Sequence, residues 1–303
     1  MITWLIVIII AYFFFSLSYF GDKLILSGPP KPNSYTFFVA AISIFAVLFI
    51  PFIENFSFPT GETIIWIVLE AAIYILGLYV MFSALEKFDV SRVMTTIGAT
   101  QPIFIFILTW IFWGAQPLNN ESIVAFVLLV IGSSLISFEK KSNSNASYIK
   151  MTLLAALLFS LDYIFSKIVF LQYPNNFLQP FTWMRIFVFL FALLFLISKK
   201  NRKEIFQKQN INKKTGLTFL WTHSSGGIAN VLQGFAISLA PLAFLPIVNS
   251  LRGIQYVFLF LLTLFFTVFF PKILKEKTSK EILIQKIISI IFIVIGLGIL
   301  VAY

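Results

Sequence analysis

The chain has 303 residues, 59% of them hydrophobic and only 11% charged, against roughly a quarter charged in soluble domains. It contains no cysteine and a single histidine, which excludes a disulfide framework, thiolate metal sites and a histidine-rich metal centre. Its formal net charge of +10 is carried by basic residues in short segments between apolar runs, so membrane orientation accounts for it and nucleic acid is not an expected partner.

Apolar runs long enough to cross about 30 Å of hydrocarbon as helix recur from end to end. The start, Met1-Ile-Thr-Trp4, has no basic segment before its apolar run, so the first span is expected to be retained rather than cleaved. That span covers 2–22, and Gly28-Pro29-Pro30 breaks the chain before the second at 35–53. Pro59 and Gly61 precede the third, 63–86; a corner of Glu86, Lys87 and Asp89 precedes the fourth, 91–113. Pro117, Asn119 and Asn120 turn the chain into the fifth, 121–138. The polar, aperiodic stretch Glu139–Asn145 reads as a linker. Spans six to ten follow at 149–171, 181–198, 216–239, 243–268 and 282–302. Continuous apolar runs, without ten-residue alternation, exclude a transmembrane barrel.

The two halves correspond. Phe15, Ser16, Leu17, Tyr19 and Lys23 recur as Phe159, Ser160, Leu161, Tyr163 and Lys167. Gln101, Phe104, Phe106, Leu108, Thr109 and Phe112 recur as Gln255, Phe258, Phe260, Leu262, Thr263 and Phe266, and Val130-Ile131-Gly132 recurs as Val294-Ile295-Gly296. Five spans per copy is an odd number, so the second copy enters the membrane in the opposite sense. The expected fold is an all-α integral membrane protein of ten transmembrane helices in two inverted five-helix repeats, residues 1–138 and 149–303, joined by a linker at 139–148. An inverted repeat places a solute path between the halves.

Of the 22 Lys and Arg, all but Lys167, Arg185 and Arg252 lie in or beside the loops after spans one, three, five, seven and nine. Those loops are therefore expected in the cytoplasm and both termini outside, in the plasma membrane.

A charge at the centre of a membrane helix costs roughly 2.5–3.5 kcal/mol on insertion scales, so each needs a partner or water. Glu70 in span three and Arg252 in span nine sit at similar depth, roughly 10–14 Å from the outer surface, and Asp162 lies near mid-membrane on span six. They are expected to share a cavity between the repeats that holds a charged or zwitterionic solute; the alternative is a Glu–Arg pair that only fixes packing. Span eight is the most polar, with Thr222-His223-Ser224-Ser225-Gly226-Gly227, Asn230 and Gln233. Its paired glycines either unwind the helix toward a solute or let helices approach closely. On span nine Asn249, Arg252 and Gln255 recur every three residues. The candidate solute-binding residues are Glu70, Gln101, Asp162, His223, Asn230, Asn249, Arg252 and Gln255.

Ten spans in two repeats, with Lys23 and Lys167 ending the first-helix motifs, resemble the EamA-type drug/metabolite transporter superfamily. Ala84, Val90-Ser91 and Pro102, and later Glu276, Thr278-Ser279 and Gly296, resemble signatures of such a repeat, although Gly114-Ala115-Gln116 stands where the first repeat would carry its glutamate. The resemblance implies a solute carrier or exporter lined mainly by helices three, four, eight and nine, with the fifth helix of each repeat peripheral. It commonly goes with cytoplasmic termini, opposite to the charge pattern here.

The expected function is secondary transport of a small polar or amphipathic metabolite by alternating access, with Glu70 or Asp162 responding to protons and Arg252 recognising an anionic group. The alternatives are movement of a lipid-linked sugar between leaflets and, from another class, a membrane-embedded enzyme. The last has no nucleophile–base or metal motif behind it. No cofactor is expected; the expected partners are the solute and the bilayer, with the chain as monomer or homodimer.

Overall fold

The computed structural model describes residues 3–25, 31–88, 90–114, 118–137, 146–206, 213–270 and 280–302. The linker 139–145, the Gly28–Pro30 turn, Asp89, Pro117 and the Glu276–Ser279 motif lie outside them. The described chain is helical, without strands: α1 (Thr3–Ile25), α2 (Pro32–Ala41) continued as a 3₁₀ segment (Ile42–Phe52), α3 (Glu62–Lys87), α4 (Val90–Trp113), α5 (Asn120–Ser137), α6 (Ala146–Leu171), α7 (Leu178–Leu193), α8 (Lys199–Ile205), α9 (Lys213–Leu239), α10 (Leu245–Ser250), α11 (Arg252–Phe269) and α12 (Lys280–Ala302). Eight stretches are long and apolar enough to span a membrane; Asn120–Ile136 is a shorter apolar helix, and polar α9 is not among the eight. This is a multi-pass membrane protein.

Of the two readings of the span-eight glycines, close packing holds: α9 runs unbroken through Gly226-Gly227. Gly226 serves packing: a Cβ there would come within 3.0 Å of Ser18 Oγ on α1. Span nine, read as one helix over 243–268, instead opens on a 3₁₀ turn (Leu242–Phe244) and is interrupted at Leu251.

Two compact units divide the chain, residues 28–93 with 142–210, and residues 1–27 with 94–141 and 211–303. Each draws helices from both halves of the sequence.

In the unit built on α2, α3, α6, α7 and α8, α3 lies along α6 and α7. Its core joins Phe37, Ala40, Ala71, Ile75, Val188, Ala192 and Ile205. Gly77 lets α6 come close, since a Cβ there would stand 3.1 Å from the Phe159 ring. One end is tied by polar contacts: Thr63 Oγ1 bonds Gln172 Oε1, and the Ser57 carbonyl accepts from Trp183 Nε1 at 2.9 Å. Asn176 Oδ1 accepts from the Gln179 amide at 3.2 Å and starts α7. At the other end Glu204, on basic α8, accepts from Asn33 Nδ2 at 3.1 Å and from the Ser34 amide at 3.3 Å, satisfying the start of α2.

In the other unit, α1 lies along α9 and α11, and α5 along α12. Gly132 and Gly296 bring α5 and α12 together: a Cβ at Gly132 would lie 2.7 Å from Ile293 Cγ1, and one at Gly296 would lie 3.0 Å from Leu129 Cγ. The break before α11 is held from two sides. Ser133 Oγ donates to the Ser250 carbonyl at 2.9 Å, and the Tyr12 hydroxyl donates to the Val248 carbonyl at 2.9 Å. Those carbonyls, freed by the interruption, are thereby satisfied inside an apolar medium.

Candidate functional site

The tied end of the α3–α6–α7 unit sets the depth of its charges. From Thr63 to Glu70, from Gln179 to Arg185, and from Gln172 back to Asp162 the helices rise about 9–15 Å. Three charged side chains from three helices therefore arrive at one level. Arg185 Nη2 forms an ion pair with Glu70 Oε1, and Ser166 Oγ, one turn along α6 from Asp162, donates to the same oxygen at 3.5 Å. The Asp162 carboxyl is within hydrogen-bonding reach of the Glu70 carboxyl.

Glu70 is 0% exposed and the Arg185 side chain 12%. The guanidinium carbon sits 4.8 Å from the centre of the Tyr74 ring and 5.7 Å from that of Phe181. Aromatic faces orient a desolvated cation there. Glu70 Oε2, Asp162 Oδ1 and Arg185 Nε, all buried, find no hydrogen-bond partner. With both acids ionised, the cluster holds two negative charges against one positive. Such an imbalance is costly where water is scarce, so the arrangement is suited to taking up one further positive charge.

Glu70 and Asp162, two of the expected site residues, thus come together. The ion-pair partner of Glu70 is Arg185, a residue outside the expected set. Arg252 belongs to the other unit, where its Nη1 donates to Gln101 Oε1 at 2.8 Å. Tyr12 is within hydrogen-bonding reach of both Arg252 and Gln233. Asn249 is wholly buried and neither atom of its side-chain amide has a partner, while Gln255 is 2% exposed on the first turn of α11. Asn230 spends its amide on its own helix, donating to the Gly226 carbonyl at 2.9 Å, and His223 is half-buried on α9. Among the described residues, no group of three or more His, Cys, Asp or Glu could hold a metal ion.

The candidate set left out Arg185, Ser166, Tyr74, Phe181 and Tyr12. Only Arg185 carried a signal, as the one charge within its span.

Among solved structures, one whose title reads "Crystal structure of protein" superposes with a TM-score of 0.66 at 14% identity, covering 97% of this chain and 94% of that one. At that identity the likeness is one of fold. No curated protein matches the sequence. Residues 2–138 match the model of the EamA-like transporter family, part of the drug/metabolite transporter superfamily.

Proposed function

We propose that the protein is a secondary transporter moving a small polar or amphipathic solute by alternating access, with Glu70 and Asp162 as its proton-responsive pair. The observation behind this reading is the charge balance of the buried cluster, two acids against Arg185. Two carboxylates about 4 Å apart repel by about 4 kcal/mol at an effective dielectric of about 20. Uptake of one proton removes that repulsion, and its release restores it. A buried group that changes charge in this way can couple solute movement to a proton gradient.

Arg252 is the candidate for an anionic group of the solute. It stands at the first residue of α11, beyond the interruption at Leu251, with Gln101 holding its guanidinium. Interrupted helices are where transporters commonly place solutes. An inverted repeat is supported by reciprocal pairing: α1, first helix of the first half, lies along α9, and α6, first helix of the second half, lies along α3. We place both termini outside the cytoplasm on the charge distribution of the loops.

Transport by purified protein in vesicles, with and without an imposed pH gradient, tests the coupling. Glu70→Gln is expected to abolish gradient-driven accumulation. Gradient dependence that is unchanged in Glu70→Gln would remove Glu70 from the mechanism.

A further inference from the structure

We propose that the Glu70–Asp162 pair is the binding site for an ammonium group of the transported solute, which displaces the shared proton one for one. This rests on the transporter reading and names its substrate class.

The atoms left over define the ligand. Arg185 and Ser166 both address Glu70 Oε1, leaving Glu70 Oε2 and Asp162 Oδ1 as buried acceptors with no donor. A ligand that completes the site must donate hydrogen bonds and carry positive charge, which excludes carboxylates, phosphates and neutral polyols. Two carboxyls with one hydroxyl fall short of the six to eight oxygens a calcium ion takes, and among the described residues no third acid joins them. What surrounds the pair is aromatic: Tyr74 and Phe181 already bracket one cation, the guanidinium of Arg185. An organic ammonium meets both requirements, with N–H donors for the oxygens and an apolar body for the rings.

The charges balance in either state. With a proton between the acids, the triad Glu70–Asp162–Arg185 is neutral; with the ammonium in the proton's place it is neutral again. With neither, or with both, one charge is left over. The same account makes binding and proton release one event. Of the other ionisable groups on the packed elements, Tyr74 faces Arg185. Lys167 lies five residues past Asp162 and so about 140° round α6. α2 and its 3₁₀ continuation contribute only Tyr35, which stacks on Phe82.

The test uses the full chain in detergent micelles in weak buffer near neutral pH, with benzylammonium as probe and benzyl alcohol and benzoate as neutral and anionic isosteres. Benzylammonium is expected to raise the unfolding temperature and to release about one proton per molecule bound; the isosteres are expected to do neither. Asp162→Asn keeps Arg185 on Glu70 and therefore the fold, yet is expected to weaken benzylammonium binding by about tenfold or more and to abolish proton release. Glu70→Gln is expected to do the same. Benzylammonium stabilising Asp162→Asn as strongly as the wild type, binding without proton release, or benzoate acting in its place would overturn the proposal, as would no binding of any probe. Vesicle transport separates this from the broader reading. Proton-releasing benzylammonium binding with no solute movement would leave the cation site standing and sink the transporter. Gradient-driven transport of another solute, without benzylammonium binding, would do the reverse.

Discussion

Asp162 of α6 meets Glu70 of α3 in one unit, and in the other unit the pair with corresponding spacing is Ser18 of α1 against Gly226 of α9. The register is kept by a second pair. Phe165 packs on Trp66, with ring centroids 5.4 Å apart, where Gly21 lies against Thr222. Between the two sets the positions shift by 144 residues (18 to 162, 21 to 165) and by 156 (70 to 226, 66 to 222). One contact layer is built of charges and large rings, the other of small residues that let backbones approach.

The small layer carries a stability prediction. A Cβ at Gly21 would overlap Thr222 Oγ1, whose residue is fully buried. Gly21→Ala is expected to lower stability by about 1–3 kcal/mol through overpacking. Thr222→Ala should recover most of that loss in the double variant, as read by thermal unfolding in detergent. An additive double variant would mean that the two positions do not share the contact.

Arg185 and Glu70 should be strongly coupled. Arg185→Gln leaves a buried carboxylate without its cation, a change expected to cost about 3–5 kcal/mol. In Glu70→Gln/Arg185→Gln the two losses should be less than additive by about 1–3 kcal/mol. Asp162→Asn, which removes the surplus negative charge, is expected to be neutral or stabilising. A marked loss of stability in Asp162→Asn would show that Asp162 has a counter-charge other than Arg185.

Much of this site could be read in the sequence, and the part that could not has identifiable causes. The apolar runs placed the long helices of the described residues within a few residues, because length and hydropathy are local properties. Glu70 and Asp162 stood out because a lone acid in an apolar helix is costly. Arg185 did not, since span seven was expected to begin at 181, leaving the arginine shallow. Asn176 instead caps a helix that starts at Leu178, which carries Arg185 to nearly the depth of Glu70. The interruption before Arg252 was invisible for another reason: the group that satisfies the freed Ser250 carbonyl, Ser133, is 117 residues away on α5. No local pattern encodes such a partner. In α9 the glycine pair was compatible with either a break or close packing, and the Gly226–Ser18 approach shows the second.

That interruption gives a further prediction. Ser133→Ala removes the donor to the Ser250 carbonyl inside the unit and is expected to cost about 1–3 kcal/mol. Gly253→Ala would push a methyl into Ser133 Oγ and toward Ile293 Cδ1, which lies 2.9 Å from the position of that methyl. It should destabilise by a similar amount. Because Ile293 still obstructs the methyl once the hydroxyl is gone, Ser133→Ala should relieve Gly253→Ala only in part. Full relief would mean that the hydroxyl alone sets the spacing of α5 and α11.

The absence of cysteine allows a clean test of orientation, since a single introduced thiol is the only one in the chain. The α3–α6–α7 unit offers an exposed position at each end. Asn55 precedes the loop segment that Trp183 and Gln179 hold, and Lys200 lies on α8, whose Glu204 caps α2 at the other end. Lys199, Lys200, Arg202 and Lys203 make α8 strongly basic, and such segments are retained on the cytoplasmic side. A membrane-impermeant thiol reagent applied to intact cells should therefore label Asn55→Cys and spare Lys200→Cys until the membrane is opened. Exposed Phe206 and Ile197, flanking the cations, would rest in the headgroup region and slow the labelling of Lys200→Cys even then. The reverse order, Lys200→Cys labelled from outside and Asn55→Cys protected, would turn the chain over in the membrane. The level of the Glu70 cluster would then be counted from the cytoplasmic face, and a proton entering from outside would have to pass the basic end first.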